Sequence, residues 1–195
     1  MTFAAVTSIP KGHIRLGIDE YMELPNDGKR YQIIDGVLDV TPAPNTKHQG
    51  ASKKLEWSLI TALEKTGLGY VFDAPIDVVL DPHNIVQPDL IFVRKERADI
   101  ITVANIQGAP DLVIEILSPS TRRTDVLIKS ELYARFGVPL YWIVDPDLER
   151  IETYRLVDKA YEQMQVATAP SILEPVGFPG LQIDLREIFS VPQRG

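Results

Sequence analysis

The chain has 195 residues and a mass of 21.8 kDa, and its 20 basic and 27 acidic residues give a net charge of −7. It contains no cysteine, which excludes a thiol nucleophile, an iron–sulfur cluster, a thiolate zinc site and a disulfide scaffold. The acidic balance argues against a constitutive nucleic-acid binder, whose footprint is usually basic, and suits carboxylates gathered around a cation. The length predicts a single domain over 1–195, with its core at about 16–190. No apolar run approaches the roughly 20 residues that span a bilayer. The start, MTFAAVTSIPKGH, lacks the basic region and unbroken apolar stretch of a secretory signal, so a cytoplasmic protein without membrane attachment is expected.

In chain order, LGIDEYMELP predicts a short helix closed before Pro25. RYQIIDGVLDVT predicts a hairpin turning at Asp35-Gly36. A helix of about five turns starts near Asn45, where Thr46 and Gln49 have capping-box spacing, and Gly67 and Gly69 end it. Its apolar stripe is Ala51, Leu55, Leu59, Ala62 and Leu63. YVFD, IDVVL and DLIFV predict an antiparallel meander over 70–93. DLVIEIL is a strand, 121–136 a helix capped by Gly137, and PLYWIVDP the next strand. That strand–helix–strand order predicts a parallel pair. After the Asp145-Pro146-Asp147 turn come IETYRL, the edge strand EQMQV and a last helical turn at DLREIF. The whole predicts an α/β fold, a mixed sheet flanked by helices with an N-terminal β-hairpin.

Both faces of DLVIEIL are mostly apolar, which marks a central, doubly covered strand, and Glu115 sits inside it. A carboxylate buried without a partner costs several kcal/mol, so a metal, a lysine or a hydrogen-bond network should face it. The alternative is a structural carboxylate paired with an arginine. On the following helix Asp125, Lys129, Leu132, Tyr133 and Phe136 share one face, so Lys129 can reach back towards Glu115. Otherwise it is a lysine covering apolar surface with its stem. Asp89 opens the QPDLIFV strand, where an Asp is often only a turn residue. Taken together, two carboxylates on adjacent strands suit Mg²⁺ (or Mn²⁺), and a lysine beside them suits phosphodiester hydrolysis. His48 lies on the apolar side of its helix near the N-terminal end, either as a satisfied core histidine or in contact with a phosphate. His83, in a DPHN turn, is expected to face water. Arg122 and Arg123 stand between the Glu115 strand and the Lys129 helix and could hold a nucleic-acid backbone.

Five strings carry a family resemblance: YQIIDGVL, PAPNTKHQ, VVLDPHNIVQPDLIFV, the stretch from Gly108 to Pro146, and IETYRL. On them the chain resembles the PD-(D/E)XK nuclease superfamily, with its restriction-endonuclease-like fold, and more narrowly the Uma-two family of endonuclease-like proteins. The resemblance implies that Asp89 and Glu115 bind the metal. The place two after Glu115 holds Leu117 rather than lysine, and Lys129 fits the role of a lysine displaced onto the next helix. Gln32 stands where the family usually has an acidic site residue, so it is expected as a neutral auxiliary ligand.

The expected function is a Mg²⁺-dependent endonuclease acting on DNA, with Asp89, Glu115, Lys129 and Gln32 in the catalytic site. The rival is an inactive nuclease-fold protein serving as a nucleic-acid-binding or interaction module. A two-carboxylate glycosidase ranks last, for want of an aromatic-rich cleft. Cutting both strands needs two sites, so a homodimer is expected, joined through IETYRL, EQMQV or the N-terminal hairpin.

Overall fold

The computed structural model describes residues 15–118 and 124–190. The first element, α1 (Ile18–Met22), is a single turn. The hairpin follows as β1 (Arg30–Ile34) and β2 (Val37–Thr41), with Asp35 at φ 52° and Gly36 at φ 80°. Two successive positive φ values are what a tight two-residue turn demands, and Asp-Gly supplies them at low cost. Helix α2 (Thr46–Leu59) runs on into one π-helical turn, Ile60–Glu64. Its cap is Asn45, whose side chain accepts from the His48 backbone N–H, rather than Thr46.

Next come β3 (Gly69–Asp73), β4 (Val78–Asp81), β5 (Asn84–Val86) and β6 (Leu90–Arg94). A 3₁₀ segment, Lys95–Ile100, leads to β7 (Ile106–Gln107) and β8 (Leu112–Ile116). A π-helical segment, Thr124–Lys129, continues as α3 (Ser130–Arg135). The chain finishes with β9 (Leu140–Asp145), β10 (Arg150–Val157), β11 (Ala160–Thr168), β12 (Ile172–Leu173), β13 (Ile183–Asp184) and α4 (Leu185–Phe189).

The main sheet has six strands in the order β11-β10-β9-β8-β6-β3, and β8 and β9 are parallel as the crossover requires. A second sheet of five strands has the order β2-β1-β5-β4-β7. The expected meander over 70–93 is therefore split. β3 pairs with β6 in the main sheet, while β4 turns back on β5 in the second. Local pattern marks a strand but not the sheet that accepts it. The three-residue β5 had no pattern long enough to read. β10 lies between β9 and β11, so IETYRL offers no free edge; β11 and β2 do.

Alternation along the central strands separates two cores. Leu112, Ile114 and Ile116 pack with Leu90, Phe92, Trp142 and Val144 under Ala51, Leu55 and Leu59 of α2 and Leu63 of the π-helical turn. The opposite face, with Ile91, Val93, Val113, Tyr141 and Ile143, is covered by Leu132 and Tyr133 of α3 and by Val78, Val86 and Ile106 of the second sheet. A β8 strand buried on both faces explains its nearly continuous apolar sequence. Gly69 does not end the helix, which stops at Glu64, but opens β3: a Cβ there would lie 2.2 Å from the Val93 carbonyl oxygen, so only glycine lets β3 close on β6. Among the described residues, no helix is long and apolar enough to cross a membrane.

Candidate functional site

Glu115 shares its face of β8 with Val113 and Leu117, turned towards α3, and is 1% exposed. Lys129, 3% exposed, reaches back as its helical position predicts, and its Nζ donates to Glu115 Oε1 at 3.0 Å and Oε2 at 3.1 Å. One turn on, the Tyr133 hydroxyl donates to Oε1 at 2.6 Å. A buried carboxylate is tolerable here because a cation and a hydroxyl replace the water it lost.

Asp89 immediately precedes β6. The β6–β8 register pairs Leu90 with Ile114, and one step further places Asp89 across from Glu115. Across an antiparallel pair, such partners lie about 5 Å apart at Cβ. Asp89 Oδ2 accepts from the Ile116 backbone N–H at 2.8 Å and meets His48 Nε2 at 3.1 Å, while Oδ1 accepts from Arg30 Nη1 at 3.1 Å. Burial pushes the Asp89 carboxyl up. The His48 hydrogen bond and the positive fields of His48, Arg30 and Lys129 outweigh it and hold the group below the usual 3.8. An ionised carboxylate only accepts, so His48 Nε2 carries the proton. Capping by Asn45 fixes the first turn of α2 and with it the ring of His48, which is buried against Asp89 rather than exposed.

Both carboxylates line one small, solvent-open pocket of about 20 Å³, together with Arg30, Thr41, His48, Ile116, Ser118 and Lys129. The oxygen donors suit a hard divalent ion: among the described residues Asp89 Oδ1 takes a single hydrogen bond, and Mg²⁺ accepts two carboxylates while keeping several waters. Among the described residues, no group of three or more His, Asp or Glu forms a closed cage, so water and substrate would complete the shell. The protein's own cations, Arg30 and Lys129, already compensate these carboxylates and keep the buried site folded.

Gln32 is placed differently from a ligand. Its Oε1 accepts from the Gln87 backbone N–H at 3.0 Å, and its Nε2 donates to Thr41 Oγ1 at 2.9 Å. It stands behind Thr41, not in the pocket lining. Arg122 and Arg123 lie outside the described residues. His83, expected to face water, is half-buried, with Nδ1 2.8 Å from the Leu16 carbonyl oxygen. Sequence reasoning missed Arg30, which opens a hairpin strand and reads as an ordinary surface cation. It also missed Tyr133 as a partner of Glu115, although the four-residue step from Lys129 was a usable signal.

The structure resembles a crystal structure of a "putative nuclease belonging to DUF820" from Anabaena variabilis, with a TM-score of 0.75 and 23% identity, over 90% of this chain and 98% of that one. That likeness is one of fold. In sequence the chain is 31% identical over 139 residues to the tRNA (uracil(54)-C(5))-methyltransferase of Schizosaccharomyces pombe, covering 66% of this chain. The chain spans only 24% of that protein's length. The Uma2 family model, described as "Putative restriction endonuclease", matches residues 18–186. That span holds both sheets and every residue of the carboxylate pocket, and the chain belongs to the Uma2 family.

Proposed function

We propose that the protein is a cytoplasmic, Mg²⁺- or Mn²⁺-dependent endonuclease that hydrolyses DNA phosphodiester bonds. The observation that carries this reading is the buried pair Asp89 and Glu115, opposite one another on adjacent strands, with Lys129 against Glu115 in an open pocket. A bound divalent ion would act there as a Lewis acid towards the phosphate and its attacking water. Asp89 and Glu115 would hold that ion. Arg30, His48 and the Ile116 backbone N–H fix the rotamer of Asp89. Tyr133 fixes Glu115. The ammonium of Lys129 orients the water and offsets the charge that develops on the phosphate. Arg122 and Arg123 are assigned to the DNA backbone from their place in the sequence, between Glu115 and Lys129. Gln32 contributes indirectly, through Thr41. A two-fold homodimer through β11 or β2 would bring one site to each DNA strand. Light scattering that returns the 21.8 kDa monomer would reject that assembly.

The test is nicking and linearisation of supercoiled plasmid with Mg²⁺, Mn²⁺ or EDTA. Wild type cleaves with metal only, and Glu115→Gln or Asp89→Asn loses about a hundredfold or more. An RNA substrate is run beside it, because the methyltransferase relative acts on tRNA. The same carboxylates, already compensated by Arg30 and Lys129, also favour a second reading, a non-catalytic nucleic-acid-binding module. DNA binding without cleavage under any metal would select it.

A further inference from the structure

The hydrogen bond from Gln32 to Thr41 has a direction that the backbone imposes. The Gln87 N–H can only donate, so the side-chain atom of Gln32 that meets it at 3.0 Å is the carbonyl oxygen. The amide nitrogen must then face Thr41, and the Thr41 hydroxyl oxygen accepts from it at 2.9 Å. A hydroxyl that accepts in this way keeps its own proton for another partner, and among the described residues it donates to none. Thr41 lines the pocket, at the end of the hairpin. Its Cα partner across β1–β2 is Arg30, the residue that holds Asp89. A half-buried O–H donor therefore stands beside a guanidinium, within the same pocket as the two carboxylates.

We propose that Thr41 donates a hydrogen bond to a non-bridging oxygen of the nucleic-acid phosphate bound in this pocket, and that Gln32 is the positioning residue that sets its polarity. The proposal rests on the nuclease-fold reading above and adds a residue to it. A phosphate oxygen is the matching partner because it only accepts. A metal-bound water is itself mainly a donor and would compete with a hydroxyl turned this way. The cationic neighbours Arg30 and Lys129 select an anion over a neutral acceptor. Gln32 thus serves the pocket through one hydroxyl rather than through a metal.

The experiment measures binding of a fluorescein-labelled DNA duplex by fluorescence anisotropy with Ca²⁺ present. Mn²⁺ affinity and melting temperature are measured on the same samples. Thr41→Val is nearly isosteric and removes only the hydroxyl. It is expected to weaken duplex binding about tenfold, which is about 1.4 kcal/mol, with Mn²⁺ affinity kept. Thr41→Ser restores binding, as a merely space-filling role would not require. Gln32→Glu accepts from both the Gln87 N–H and the Thr41 hydroxyl, turning that proton out of the pocket. It should match Thr41→Val, and the double variant should be no worse than either. Duplex binding by Thr41→Val equal to wild type overturns the inference and leaves the nuclease reading standing. A tightened Mn²⁺ affinity in Gln32→Glu also overturns it, since that assigns Gln32 to the metal. Wild type that binds neither DNA nor RNA overturns both.

Discussion

Replacing Lys129 by Met tests how the buried carboxylate is maintained. Methionine keeps most of the stem's volume, so packing against α3 and β8 changes little, while the charge disappears. The side chains of Lys129 and Glu115 are 4% and 2% exposed, so solvent screens neither. Removing one partner of a buried pair costs about 3–5 kcal/mol, because the other keeps its desolvation penalty and loses its partner's attraction. Tyr133 still donates to Oε1, which places the expectation at the lower end. For a chain of this size each kcal/mol lowers the melting temperature by about 2–4 °C, so the variant should melt roughly 6–12 °C below wild type. The second substitution, Glu115→Gln, removes the buried carboxylate charge and should recover most of that loss. Urea unfolding of wild type, both single variants and the double variant closes the cycle, with an expected coupling of about 2–3 kcal/mol. A loss under about 1 kcal/mol for Lys129→Met, or a coupling near zero, would refute the argument. It would mean that Glu115 does not depend on Lys129 for its charge.

The acid limb of the stability curve should carry the signature of Asp89. Its folded pKa lies below the unfolded value near 3.8, so its contribution is fully present above that value and disappears as pH falls through the folded one. Asp89→Asn should flatten that limb in urea titrations below about pH 4, and an unchanged slope would contradict the assignment. Gly69→Ala should destabilise by about 1–3 kcal/mol or more, because the new methyl meets the Val93 carbonyl oxygen. A wild-type melting temperature for that variant would show that β3 can withdraw from β6 freely. Asn45→Ala removes the cap of α2 and should cost about 1 kcal/mol. Loosening the His48 contact with Asp89 as well, it should broaden the His48 ring signals in NMR spectra, and sharp, unshifted signals would separate the cap from the site.

Elements that depend on neighbours along the chain were legible in the sequence alone. The Asp35-Gly36 hairpin, the α2 stripe, the doubly buried β8 and the parallel β8–β9 pair each follow from local spacing and composition. The juxtaposition of Lys129 with Glu115 followed as well, because a helix that leaves a strand directly packs back over its end. Tertiary structure alone decided the rest. A strand's pattern shows which of its faces is buried but not which sheet receives it, so the split between β3–β6 and β4–β5 could not be read. Arg30 looks like any exposed cation until the five-stranded sheet folds its hairpin against the start of β6 and brings it to Asp89. His48 and Asp89 are 41 residues apart, and only the packing of α2 on the main sheet joins them. The orientation of Gln32 depends on a single backbone N–H at Gln87, a donor from another strand connection that no local pattern marks. Periodicity is a property of one segment, whereas a site assembled from a hairpin, a helix and two strands exists only once long-range burial has fixed them against one another.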